Sequence, residues 1–424
     1  MNRVSVSGIG AVTPLGLSFA DTFESLLAAN SGVATVANDR IATLVPGALA
    51  AAVSPSFDGK VGRLEASLDR ATQLALAAAR AALADAGLDD WSRVDATTLD
   101  RSRVGVYVGT GLGGAHSLDP LYLRLHARVL GVEKGDPASM HPLTVPRIMP
   151  NAAASWLSIE QGLRGPTSTF TVACSSSAVA LGEAVRAIRH GYVDAVVVIG
   201  TEAFLTPGAY TAWNALRVMA RPDATDVSTS CKPFDRNRSG FVLGEGAAAL
   251  VLEREDIARS RGARSRGIVA GYGTSSDASH ITLPSRDGQV AAMRQAMNEC
   301  RLSPSDIQYV NAHGTATVAG DVTETESIKE AFGAHAFDLA MSATKSMHGH
   351  LIGAGGALEF AIALEAMRTG SLPPTANLVD PDPRCDLDYV PRQARHGAPL
   401  SAVMSNSFAF GGTNVSLVAH RAEW

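Results

Sequence analysis

Short β-branched runs that each end in glycine, followed by stretches of helix-forming residues, recur along this chain and restrict it to an α/β architecture. The first run, Val4–Gly8, feeds a helix capped by Ser18-Phe-Ala-Asp21 that passes through Leu27 and stops near Gly32. Residues Ser67–Ala86 are almost entirely helix formers closed by Gly87, and Arg103–Val108 is a β-rich run ending in Gly109-Thr-Gly-Leu-Gly-Gly114. From Ser168 the chain reads strand, Cys174, helix to Gly191, then Asp194–Gly200 as a buried strand, a βαβ unit with the cysteine at its crest. A charged, turn-rich segment at Glu253–Gly267 separates a second series. That series opens with Gly267-Ile-Val-Ala-Gly-Tyr-Gly273, an echo of Val4–Gly10. It continues with a helix over Gln289–Cys300, a strand at Ile307–Asn311, a helix from about Thr323, a strand at Leu339–Ser342 and a long apolar helix from about Leu351 to Met367. Two similar βα halves are the simplest reading, because 424 residues exceed one typical core.

Composition narrows the function. Hydrophobic residues at 46%, charged ones at 18% and 40 glycines suit an enzyme whose helices pack close to a central sheet, and argue against disorder. A net charge of −5 with no Lys/Arg block argues against nucleic acid as a partner. Met1-Asn-Arg-Val-Ser-Val-Ser-Gly lacks the apolar core of a signal peptide, and no apolar run approaches the ~20 residues that cross a bilayer. A cytoplasmic protein without a membrane partner is expected. Cys174, Cys231, Cys300 and Cys385 show no metal-ligand spacing and are too sparse for a disulfide scaffold, so they read as reduced thiols.

Four segments carry chemistry. Cys174 stands between an apolar β-like run and an Ala-rich helical run. A helix N-terminus there favours thiolate and stabilises negative charge on whatever the sulfur attacks. The alternative is an inert buried cysteine. His313, in Tyr309-Val-Asn-Ala-His-Gly-Thr-Ala-Thr317, directly follows a strand, where ligand crevices of α/β sheets form. The stretch Ser342-Ala-Thr-Lys345-Ser-Met-His348-Gly-His350 places a lysine and two histidines before a helix that is apolar nearly all round except for Glu359. A buried Glu359 needs a partner, and Lys345 is the nearest. His350 abuts the helix and is the more tightly oriented histidine. Phe408-Ala-Phe410-Gly-Gly-Thr-Asn414 offers a glycine turn whose amides approach a ligand closely. A nucleophilic cysteine, two histidines and a turn amide are what acyl transfer followed by carbanion chemistry requires. The Gly109–Gly114 run lacks both dinucleotide spacing and a P-loop ending, and reads as a close backbone turn.

These strings, with Asp235–Ala247, Gly320-Asp321 and Glu324, occur in an order that resembles the β-ketoacyl-acyl-carrier-protein synthases of the thiolase superfamily, in the elongating group with a Cys-His-His triad. The likeness runs essentially from end to end. It implies two βαβαβαββ halves packed in five α-β-α-β-α layers about a pseudo-twofold axis, residues 1–258 carrying the cysteine and 259–424 the histidines. Cys174 would form the acyl thioester, with its own amide and that of Phe410 as oxyanion hole. His313 and His350 would bind the malonyl thioester carbonyl and promote decarboxylation. Lys345 would orient the site with Glu359, Asp321 and Glu324 would support it, and Phe410 would gate an incoming acyl chain. The resemblance implies no metal or organic cofactor and a homodimer, or a heterodimer with a related subunit. Its partner would be an acyl carrier protein whose phosphopantetheine arm passes Thr315 and Thr317. Trp213 stands where relatives commonly place a phenylalanine of the acyl pocket, with Leu112 on the facing wall. Arg63 and Arg217 are the candidate carrier contacts, since Arg63-Leu-Glu-Ala-Ser-Leu68 is nearly uncharged. Thr315-Ala-Thr-Val318 and Ala409 depart from the family's usual Thr-Ser-Thr-Pro and glycine. The leading expectation is decarboxylative condensation in fatty acid synthesis. A specialised polyketide or polyene synthase is the alternative, and a non-catalytic chain-length subunit is opposed by the presence of the whole triad. Thiolase-type cleavage is weaker, because no second cysteine lies in a glycine-rich terminal motif.

Overall fold

The computed structural model describes residues 2–59, 68–136 and 140–423. Five strands come from the first part of the chain: β1 (Val4–Val12), β2 (Val104–Gly109), β3 (Thr167–Phe170), β4 (Ala195–Glu202) and β5 (Gly246–Arg254). Five come from the second: β6 (Gly267–Ser276), β7 (Tyr309–Asn311), β8 (Ala340–Ser342), β9 (Ala402–Phe408) and β10 (Thr413–His420). Their order is β8-β7-β9-β10-β6-β1-β5-β4-β2-β3. From the centre outward the two halves match strand for strand. β1 and β6 pair antiparallel with β5 and β10, these pair antiparallel with β4 and β9, and β2–β3 and β7–β8 follow in parallel. The halves meet where Ser5 and Val6 pair with Ile268 and Gly267.

The five layers meet at four interfaces, the two central ones sharing one apolar cluster and the outer two having one each. Helix α3 (Ser176–Arg189) and helix α6 (Gly355–Thr369) pack on each other, and their cluster takes Val196, Val198 and Leu250 from one half and Val403, Val415 and Leu417 from the other. Helices α1 (Arg70–Asp85) and α2 (Ala152–Gln161) cover the outer face of the first half, where Ala195, Val197 and Ile199 point. Helices α4 (Arg286–Cys300) and α5 (Val318–Phe332) cover the corresponding face of the second. Alternate residues of β4 thus enter different cores, which is why the strand reads as an unbroken apolar run.

The echo between Val4–Gly10 and Gly267–Gly273 has a steric cause. A Cβ on Gly8 or Gly10 would lie 2.2 Å from the Ala82 or Ala78 carbonyl oxygen of α1. On Gly271 or Gly273 it would lie 2.1 or 1.9 Å from the Ala296 or Ala292 carbonyl of α4. In each half an outer helix sits directly on the central strand, at a separation only glycine allows.

Three expectations about elements are corrected. Helix α5 starts at Val318, not near Thr323, because the Thr317 side chain caps it by accepting from the Gly320 N–H at 3.2 Å. The apolar stretch from Leu351 is not one helix: a 3₁₀ turn at Ile352–Ala354, with Ile352 at φ +44°, precedes α6. Glu253–Gly267 is not merely turn-rich, since it contributes the end of β5 and a short helix at Glu255–Ser260. Among the described residues, no helix is long and apolar enough to cross a membrane.

Candidate active site

The parallel strands deliver their C-terminal ends to one place. After β3 the chain turns through Ala173, at φ +48°, into a 3₁₀ turn that carries Cys174 onto the start of α3. After β7 it delivers His313, and after β8 the segment from Lys345 to His350. Non-glycine residues in the left-handed region flank each reactive position: Ala173 before Cys174, Ala316 between Thr315 and Thr317, Ile352 after His350. Such strain collects at sites whose geometry the surrounding structure enforces.

His350 Nε2 lies 3.0 Å from Cys174 Sγ, and the Ile352 N–H donates to His350 Nδ1 at 3.3 Å. That donation leaves Nδ1 without a proton and puts the proton on Nε2, facing the sulfur. The His313 ring stands edge-on to His350 at 5.6 Å between centroids. One donor atom from each of Cys174, His313 and His350 lies within 4.8 Å of the others. His313 is oriented from behind, because the Glu324 carboxylate accepts from both the His313 and Gly314 N–H groups at 2.8 Å. Phe241 stands edge-on to His350 at 5.1 Å.

Burial decides the charge states. It pushes the Cys174 thiol up to about 12, against the opposing pull of Lys345 and of the Phe410 N–H. Burial thus opposes the thiolate that the helix start was expected to favour, and Cys174 meets the helix through a 3₁₀ turn. Both histidines are held well below their usual range, first by burial and then by Lys345, so they are neutral. Lys345 and Glu359 form a buried ion pair. Burial raises the Glu359 carboxyl to about 7 against the attraction of Lys345.

A cavity of about 260 Å³ opens from Cys174, His313 and His350 past Thr315, Thr317 and Phe410 to Arg217. The two threonine hydroxyls are 3.0 Å apart. Trp213 is beside this cavity rather than in its lining, with its ring stacked 6.2 Å from Phe410 and edge-on to Phe241 at 5.7 Å. Leu112 is 46% exposed and does not line the cavity either. Asp321 accepts from the Phe234 N–H at 2.7 Å and lies 3.6 Å from Arg238, whose guanidinium bonds the Thr317 and Val318 carbonyls. It braces the Asp235–Ala247 stretch against the threonine loop. His348 is buried with Nε2 2.9 Å from Thr344 Oγ1. Arg63 lies outside the described residues. Sequence reasoning missed Glu202 and Phe241. The one available signal for Glu202 was a carboxylate closing the otherwise apolar strand β4.

A buried thiol beneath two neutral imidazole N–H donors, at the strand ends of a doubled sheet, defines a condensing acyltransferase of the thiolase-like fold. Family models for the beta-ketoacyl synthase N-terminal and C-terminal domains match residues 1–258 and 266–379. The chain is 38% identical over 426 residues to 3-oxoacyl-[acyl-carrier-protein] synthase 2 of Staphylococcus aureus strain COL, covering 99% of each. It superposes with a TM-score of 0.88 and 33% identity on a beta-ketoacyl synthase from Burkholderia phymatum STM815, covering 100% of both chains. A type II PKS ketosynthase, solved in complex with its acyl-carrier protein, gives 0.89 at 28% identity, with 100% of each chain covered. The chain belongs to the beta-ketoacyl synthase family.

Proposed function

We propose that the chain is a 3-oxoacyl-acyl-carrier-protein synthase of fatty acid elongation, with Cys174 as its acyl carrier. The observation that carries this reading is His350 Nε2, protonated by exclusion and 3.0 Å from the Cys174 sulfur at the inner end of the cavity. The sulfur attacks the acyl-carrier thioester, the carrier thiolate leaves, and the thiol proton of Cys174 goes to it. Because the resting thiol is neutral, proton loss accompanies attack rather than preceding it. Malonyl-carrier then enters along the cavity, its pantetheine arm bonding Thr315 and Thr317. Its carboxylate leaves as CO₂, and the electron pair of the broken C–C bond delocalises onto the thioester oxygen. The Nε2–H of His350 and the His313 ring stabilise that enolate, and neutral rings suit the task because they donate without surrendering a proton. The α-carbon attacks the acyl carbonyl. The resulting oxyanion lies against the Cys174 and Phe410 N–H groups, and collapse expels the Cys174 thiolate, which takes a proton from solvent to return to the resting thiol and leaves a chain two carbons longer.

Lys345 with Glu359, and Glu324 and Asp321 behind the loops, hold this arrangement. Phe410, between Trp213 and two glycines, acts as the gate to the acyl side, with the Trp213 ring stacked behind it. Arg217 at the cavity mouth, with Arg63, meets the acidic carrier. A division at 258/259, cysteine half and histidine half, a homodimeric assembly and a cytoplasmic setting belong to the same reading. The test separates the two half-reactions. Cys174→Ala should neither accept an acyl group nor condense. His350→Ala should still be acylated by acyl-carrier, as read by intact mass, while releasing CO₂ from malonyl-carrier at least about 10²-fold more slowly. Unimpaired CO₂ release in that variant would remove His350 from the chemistry. The stacking of Trp213 on Phe410 favours a second reading, a synthase of a specialised polyketide or polyene pathway. Efficient elongation of ordinary saturated medium and long chains would dismiss it.

A further inference from the structure

Glu202 closes β4 with its side chain fully buried. One carboxylate oxygen accepts from the Gly111 N–H at 2.6 Å and the Gly353 N–H at 3.1 Å, and the other from Thr110 Oγ1 at 3.3 Å. The fit leaves no slack, because a Cβ on either Gly111 or Gly353 would come within 2.7 Å of that first oxygen. Burial pushes the carboxyl up to about 8, against these hydrogen bonds. Nothing in the condensation derived above employs this group.

Its position in the bonding sequence is informative. Gly353 follows Ile352, a β-branched residue held at φ +44°, a region that such residues avoid. That conformation sets the angle between two successive peptide planes, so that the Ile352 N–H donates to His350 Nδ1 while the Gly353 N–H turns to Glu202, and the first bond fixes the proton on Nε2, toward the sulfur. We propose that Glu202 is a positioning residue for His350: by gripping the Gly353 N–H it holds the strained Ile352 turn and so selects the Nε2–H tautomer of the imidazole. Through Gly111 the same carboxylate ties that turn to the loop after β2. The inference rests on His350 acting as a donor to the substrate carbonyl. The tautomer itself is measurable without any turnover.

The test uses the full-length enzyme labelled with ¹⁵N-histidine, the His350 resonances being assigned by their loss in His350→Ala. Glu202→Gln can turn its oxygen to Gly111 and Gly353 and its amide to Thr110, so it should keep the wild-type spectrum and turnover. Glu202→Leu fills the volume with no acceptor. It should move His350 toward the Nδ1–H form and slow CO₂ release from malonyl-carrier about 10²-fold, with the KM for malonyl-carrier unchanged. If Glu202→Leu does not fold, Glu202→Asp, whose oxygens sit one methylene short of Gly353, should show the same shift and slowing in smaller measure. Lowered thermal stability with an unchanged His350 spectrum and unchanged kcat would overturn the proposal and leave Glu202 a structural residue. A shifted spectrum together with full CO₂ release in both Glu202→Leu and His350→Ala would uphold the clamp and overturn the catalytic reading of His350 instead.

Discussion

At the scale of single residues, the site depends on buried groups whose charge states are set by their surroundings. The Cys174 thiol, raised to about 12 by burial, should alkylate with iodoacetamide at a rate that climbs about tenfold per pH unit from pH 7 to 10, since the thiolate fraction grows tenfold per unit below the pKa. A plateau near pH 7 would reveal a thiolate–imidazolium pair instead. Lys345 and Glu359 are each only 1% exposed, so removing one strands the other's charge. Glu359→Ala should lower stability by about 3–5 kcal/mol in urea unfolding, and the double variant Lys345→Met/Glu359→Leu should recover much of that loss. Cys174, His313, Lys345 and His350 were legible in the sequence because each stands where a strand-like run gives way to a glycine or serine turn. Glu202 was not. Its partners Gly111 and Gly353 lie 91 and 151 residues away along the chain, and no local pattern announces such contacts.

At the scale of elements, the strand and helix series followed from periodicity, and the two departures nearest the site came from one capping side chain and one strained turn. Thr317 advances the start of α5, and the strained Ile352 turn splits the apolar stretch from Leu351. Both lie beside reactive histidines, where local preference yields to the demands of the site. The glycine echo marked something that strand propensity could not: the positions where α1 and α4 sit on β1 and β6. Gly273→Ala, whose Cβ would meet the Ala292 carbonyl at 1.9 Å, should lose about 3 kcal/mol of stability in urea unfolding. Gly191→Ala, where nothing lies within 4 Å of the added Cβ but φ is +75°, should lose only about 1 kcal/mol. Equal losses at the two positions would count against close helix-on-strand packing as the cause of the echo.

For the whole molecule, the doubled sheet is what joins a nucleophile from one half to two imidazoles from the other. Cys174 precedes α3 and His350 precedes α6, and these equivalent central helices pack on each other, so the reactive groups face across the pseudo-twofold. The fold class and the family were legible in the sequence. The placement of Trp213 and Leu112 outside the cavity lining was not, because it depends on how Phe410 and Phe241 pack in three dimensions. The central claim is that acyl transfer to Cys174 precedes a decarboxylative carbon–carbon bond formation. Isolated enzyme charged with a single acyl group and then mixed with malonyl-carrier tests it in one turnover. Intact and peptide mass spectrometry should find the acyl group on Cys174 alone, discharged as CO₂ appears in equal amount and as 3-oxoacyl-carrier two carbons longer. Product forming from a Cys174→Ala enzyme, or an acyl-Cys174 that malonyl-carrier fails to discharge, would contradict it.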